Sequence, residues 1–152
     1  MRILLGVDES PHSDAAVEFV RNMQWPAGTQ VLVVSAARPL VPAYGEVYVP
    51  AAPYSEQVVE QEVQYHEQIA ARAEEQIRLA GIATEARVLT GDPREVLINE
   101  ARNAGVDLIV VGSHGRTGLT KLLLGSVASH VVTHASCSVL VVKLPESRTG
   151  LR

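Results

Sequence analysis

From Gly112 to Ser126 the chain reads GSHGRTGLTKLLLGS, and this stretch gathers residue types that suit one chemistry. Gly112, Gly115 and Gly125 are spaced along it, and Ser126 follows the last of them. Glycine lacks a Cβ, so it accepts positive φ and lets backbone N–H groups converge on an anion. Arg116 and Lys121 add positive charge nearby. A phosphate-bearing ligand is the expectation. Several roles stay open at this level. The Ser126 hydroxyl can cap a helix or bind phosphate. Arg116 can fold inward or remain solvated, and Lys121 reads as a surface residue. Gly125 serves ligand approach or a packing-enforced helix break, and Gly125→Val is expected to abolish binding while leaving the fold intact. Asp8 either supports the start of the first helix or faces the same ligand.

Alternating strand and helix signals must position these residues. Arg2 to Asp8 contains the apolar run ILLGV and reads as a first strand. Ser10-Pro11 then opens a helix, with Ser10 as N-cap and Pro11 at the first helical position. Ala15, Ala16, Phe19, Val20 and Met23 recur on one face of it. Gln30 to Ala37 is a second buried strand. The segment from Arg38 to Tyr54 holds four prolines and three tyrosines and reads as a long irregular connection, either a variable insertion or a functional lid. Ser55 to Ala80 is a long helix with a stripe of Val59, Val63, His66, Ala70, Ala73 and Ile77, stopped by Gly81. Ile82 to Thr90 alternates like an edge strand. Asp92-Pro93 opens a third helix, buried through Val96, Leu97, Ile98 and Ala101. Asp107 to Val111 is the fourth strand, Ser126 to His134 the fourth helix and Cys137 to Lys143 the fifth strand.

This order predicts a single-domain α/β fold, a doubly wound five-stranded parallel sheet of order 3-2-1-4-5 with helices on both faces. The domain spans 1–145 and a short tail 146–152. In such a sheet the first and fourth strands flank the switch point, and ligands bind outside their carboxyl ends. Those ends are Asp8 and Gly112, so topology and glycine spacing select one crevice.

Common nucleotide motifs are absent. No GxGxxG follows the first strand, and Gly115 to Lys121 misses the P-loop pattern because Thr120 stands at its second glycine. No GxSxG elbow occurs. His130 and His134 are four apart on a helix but lack a third zinc ligand, as does His12. His66 reads as a packed histidine and Cys137 as a small hydrophobe. Val139 to Val142 is apolar on both faces yet falls at a sheet edge, which invites pairing with a second copy.

Composition narrows the class. The chain has 152 residues, 47% hydrophobic and 20% charged, as expected of one soluble domain. Its net charge of −4 argues against a nucleic-acid-binding face. No run approaches the roughly 18 apolar residues of a membrane span, and the first residues lack the apolar core of a signal peptide. One cysteine excludes an internal disulfide and suits the cytoplasm.

Several linked motifs in register resemble the universal stress protein family, in its ATP-binding branch. They are VDES after the first strand, GDPREVL, DLIVVGSHGRTGL and LLLGSVASHVVTHASCSVLVVK, with the spacing Gly112-x2-Gly115-x9-Gly125-Ser126. The resemblance implies that Gly112, His114, Gly115, Gly125 and Ser126 contact phosphate and ribose. It implies that Asp8 lies near the ribose or a phosphate-bound Mg²⁺, and that Ala36 reads adenine where valine is more usual. Gly6, Val7, Val111, Arg116 and Val127 complete the nucleotide-binding set. Ser138 stands where the family often has proline. The expected ligand is ATP with Mg²⁺, and the expected assembly is a homodimer through the fifth strand, acting in stress response with unidentified protein partners. A binding module is favoured over an enzyme because no base stands beside a nucleophile and no second acidic metal ligand is evident. The alternative is a slow Mg²⁺-dependent ATPase or phosphotransferase, with Asp8 on the metal and His114 or Ser126 in transfer.

Overall fold

A computed structural model describes residues 1–38, 56–115 and 124–144. Arg116, Lys121, the connection after Arg38 and the tail from 145 lie outside the described residues. Strands and helices alternate in the order β1 (Arg2–Gly6), α1 (Pro11–Asn22), β2 (Gln30–Ala37), α2 (Glu56–Leu79), β3 (Ala83–Thr90), α3 (Pro93–Ala104), β4 (Leu108–Gly112), α4 (Ser126–His134) and β5 (Ser138–Val142). The sheet order is β3-β2-β1-β4-β5, every pair parallel. This is the topology expected from the sequence.

The register explains the buried apolar runs. Leu4 lies between Leu32 and Ile109, and Leu5 between Val33 and Val110. Successive side chains then enter opposite layers. Ile3, Leu5 and Val33 pack with Val17 and Val20 of α1 and Ile69 and Ile77 of α2. Leu4, Val34 and Ile109 pack with Leu97 and Ala101 of α3 and Val131 of α4. Helices therefore cover both faces, and each fully buried Val, Leu or Ile contributes about 1.5–3 kcal/mol.

Local chemistry sets the helix boundaries. The Ser10 hydroxyl accepts the Ser13 N–H at 3.1 Å, and Pro11 occupies the first turn. Asp92 accepts the Arg94 N–H at 3.0 Å ahead of Pro93. Gly105 ends α3 at φ 59°, a left-handed conformation that glycine adopts without strain.

One face is rotated from expectation. The buried side of α1 is Ser13, Ala16, Val17 and Val20, while Met23 is exposed. The helix ends at Asn22, and Met23 turns extended, so its side chain leaves the stripe. On α2, His66, Ile69, Ala70, Ala73 and Ile77 are buried, and Val59 and Val63 are half-buried. Among the described residues β5 pairs only with β4, and Val139, Leu140 and Val141 are half-buried. The expected apolar edge is present.

Candidate functional site

The crevice arises where neighbouring strands send their chains to opposite faces. After β1 the backbone turns into α1, on the α2 side of the sheet. Beyond β4 it leads to α4, on the α3 side. The two departures leave a cavity of about 320 Å³ at the carboxyl ends. Gly6, Val7, Asp8, Ala36, Val111, Gly112, His114, Gly115, Gly125, Ser126 and Val127 all line it. Every expected site residue within the described set is thus brought together, and Arg116 lies outside that set. Val34, Leu97 and Ala128 extend the apolar lining.

Asp8 supports the start of α1 and also lines the cavity. Its Oδ1 accepts the Ser10 N–H at 2.8 Å, and its own N–H donates to Ser13 Oγ at 3.0 Å. These bonds fix the turn into α1. Its Oδ2 points the other way, 3.1 Å from where a Cβ on Gly115 would stand. One carboxylate oxygen is therefore directed at the glycine turn, a geometry that suits Mg²⁺ shared with phosphate. Among the described residues no group of three His, Cys, Asp or Glu could hold a metal alone.

The helix that faces the cavity has a bare N-terminus. Gly125 is the N-cap of α4 and has no side chain with which to cap, while Ser126 is the first helical residue. The Ser126 hydroxyl is therefore not the N-cap, which removes one of its two candidate uses. The first N–H groups of a helix have no intrahelical carbonyl, and they carry the positive end of its dipole. By contrast, α1 and α3 are capped by Ser10 and Asp92.

The glycines are needed for close approach rather than for positive φ. Among the described residues, positive φ occurs at Gly28, Gly81, Gly91 and Gly105, and Gly112, Gly115 and Gly125 are not of this kind. A Cβ on Gly112 would stand 2.6 Å from the His12 carbonyl carbon and oxygen, so packing against α1 demands glycine there. On Gly125 it would meet His114 Cα at 3.1 Å and Ser113 O at 3.3 Å. The Gly125 N–H already donates to Ser113 O at 2.7 Å. Gly125→Val therefore displaces the 113–115 turn as well and does not isolate binding.

Besides Val34, Leu97 and Ala128, sequence reasoning missed Ser13, Arg38, His66 and Pro93 in the lining. Arg38 follows β2 directly, at the same carboxyl end of the sheet as Asp8 and Gly112. Arg38 reaches Asp92 Oδ2 at 3.4 Å, while Arg94 holds the same oxygen at 2.6 Å. Hydrogen bonding from Arg94 holds the Asp92 carboxyl down at about 2. His66, read as a packed histidine, is 4% exposed, and its Nδ1 lies 2.7 Å from Ser35 Oγ. Ser35 donates onward to the Val7 carbonyl at 3.0 Å, which ties α2 to the residue before Asp8. Ser113 is 2% exposed and its hydroxyl lies between two imidazoles, so it is not placed as a nucleophile.

A doubly wound sheet with a phosphate-suited crevice defines a broad class of α/β ligand-binding domains. Comparison with known proteins gives the particular family. Residues 1–143 match the model of the universal stress protein family. Universal stress protein A homolog 2 of Coxiella burnetii is 34% identical over 148 residues, covering 96% of this chain and 97% of that protein. A Thermus aquaticus universal stress protein is 32% identical over 142 residues, covering 93% and 97%. The chain belongs to the universal stress protein family. Solved structures share the fold: one from Lactobacillus plantarum has a TM-score of 0.74 at 21% identity, covering 93% of this chain and 97% of that one. An Arabidopsis thaliana family member with AMP bound gives 0.65 at 19% identity, covering 99% and 96%. A universal stress protein in complex with cAMP gives 0.63 at 22% identity, covering 94% and 96%.

Proposed function

We propose that this universal stress protein is a nucleotide-binding module that holds ATP with Mg²⁺ in the β1–β4 crevice and works as a homodimer in the cytoplasm. The observation that carries the reading is the bare N-terminus of α4, facing a cavity that also holds the Gly112–Gly115 turn and Asp8. Helix N–H groups that no side chain caps suit phosphate oxygens. The apolar lining from Val34, Ala36, Leu97 and Val111 suits a base. AMP in one structural neighbour and cAMP in another support an adenine nucleotide.

In this reading N–H groups of the Gly115 turn and of Ser126 donate to phosphate, Asp8 Oδ2 takes Mg²⁺, and Ala36 borders the base. The bound metal supplies charge neutralisation of the phosphates. The smaller Ala36 gives the base less apolar contact than valine does, which weakens affinity. Homodimer formation through β5 is supported by its half-buried apolar residues and by an outer edge that pairs with no other strand among the described residues. Among the described residues no helix is long and apolar enough to cross a membrane.

Calorimetric titration of the nucleotide-free protein with ATP, AMP, cAMP and adenosine tests the reading. Saturable binding of ATP, strengthened by Mg²⁺ and weakened in Asp8→Asn, is the expected result. No binding of any adenine nucleotide at millimolar concentration overturns it.

A further inference from the structure

Behind the glycine turn, one buried hydroxyl sits between two imidazoles. Ser113 Oγ lies 3.0 Å from His12 Nδ1 and 3.1 Å from His114 Nδ1, and the two rings are 5.0 Å apart. Ser113 is 2% exposed. The cluster joins the parts of the crevice that the proposed function assigns to phosphate. His12 belongs to the first turn of α1, His114 lines the cavity, and the Ser113 carbonyl accepts the Gly125 N–H at the start of α4.

Proton counting makes this cluster sensitive to charge. A serine hydroxyl offers one hydrogen and accepts through its lone pairs. With both imidazoles neutral, Ser113 donates to one Nδ1 and accepts an N–H from the other. The two histidines must then be opposite tautomers. Adding one proton turns the accepting Nδ1 into a donor. Both rings then donate to Oγ, and the serine hydrogen is expelled from the chain. The added charge stands beside the glycine turn and near the N-termini of α1 and α4. Helix N-termini disfavour a cation, and an anion seated there offsets that cost.

We propose that His12, Ser113 and His114 form a proton-coupled pair that tightens anionic ligand binding as pH falls. The proposal rests on the nucleotide reading above and adds regulation of that site by acidification. Among the described residues, the other ionisable groups on the surrounding elements are Asp8 and Glu9 before α1, Asp14, Glu18 and Arg21 on α1, His130 and His134 on α4 and Lys143 after β5. The first turn of α4 brings no acidic side chain. A phosphate seated at the helix N-termini favours the protonated pair. By linkage, a ligand that favours the protonated pair binds more tightly where the pair is protonated. Imidazole is the side chain whose charge changes nearest neutral pH, so the test spans that range.

The test compares ATP affinity of the wild type and His12→Gln by calorimetry at about pH 8 and about pH 6. Glutamine can still bond to Ser113 but does not titrate. The ionisation of ATP is common to both proteins and cancels in the ratio. We expect the wild-type advantage to grow about three- to tenfold on acidification. An unchanged ratio with ATP bound by both proteins overturns the coupling. If the wild type binds no ATP at either pH, the nucleotide reading itself fails, and the proposal fails with it. Imidazole ¹⁵N spectra of the ligand-free wild type give a second test that needs no variant. At about pH 8 they should show opposite tautomers at His12 and His114, and matching tautomers overturn the proton count.

Discussion

Alanine at Gly112 and alanine at Gly115 should fail for different reasons, one in the fold and one in the ligand. A Cβ on Gly112 would stand 2.6 Å from the His12 carbonyl carbon and oxygen and 2.9 Å from its Cβ. Carbon atoms pack at about 3.5–4.0 Å, so the start of α1 must move about 1 Å away from β4. Overpacking of this kind costs about 1–3 kcal/mol. In a chain of this size each kcal/mol lowers Tm by about 2–4 °C, so Gly112→Ala should lose about 2–12 °C. On Gly115 a Cβ meets, among the described residues, only Asp8 Oδ2, at 3.1 Å, the movable end of a side chain. Its stability should change by no more than about 0.5 kcal/mol. Because the new methyl group stands beside the carboxylate in the cavity, ATP affinity should fall about tenfold, or about 1.4 kcal/mol. Thermal unfolding followed by circular dichroism reads the first effect, and calorimetric titration the second. A wild-type Tm in Gly112→Ala would refute the packing argument. Greater destabilisation by Gly115→Ala than by Gly112→Ala would reverse the assignment.

Other consequences are open to measurement. Asp92→Ala should cost about 1 kcal/mol in urea unfolding, since it removes the N-cap of α3. The Asp92 carboxyl is lowered from 3.8 to about 2, so its contribution is present above about pH 4 and lost as pH falls toward 2. Asp92→Asn should therefore flatten stability in that window, and an unchanged acid limb would contradict the argument. Burial pushes the Cys137 thiol up, so a disulfide reagent should modify it slowly at neutral pH in the native protein and rapidly in urea. Fast native reaction would show that β5 opens readily. Sedimentation equilibrium at tens of micromolar should give a dimer mass for the wild type and a monomer for Val139→Lys, and a monomeric wild type would sink the edge-pairing argument.

What the sequence revealed depended on how local each signal is. Ser10-Pro11 and Asp92-Pro93 announced α1 and α3 because capping needs only neighbouring atoms. Apolar runs separated by helical stripes predicted the sheet order, and the switch point then placed Asp8 opposite Gly112. Contacts between distant residues carried no such signal. His12 meets Ser113 across 101 positions, and no periodicity connects them. The demand for glycine at 112 comes from that same approach of α1, so the spacing pattern alone assigned it to ligand. Met23 followed the helical period in sequence but lies past the last turn, where helix termination overrides periodicity. His66 was legible as buried, but its bond to Ser35 was not, because it joins α2 to β2 across the connection after Arg38.

The most direct test of a nucleotide-binding crevice is the identity of the small molecule that leaves the purified protein on heat denaturation. Release of ATP, at up to one equivalent per chain, is the predicted result. ADP with slow phosphate release by the intact protein would move the account toward hydrolysis. A protein that releases no adenine nucleotide, and takes up none at millimolar concentration with Mg²⁺ present, would contradict it.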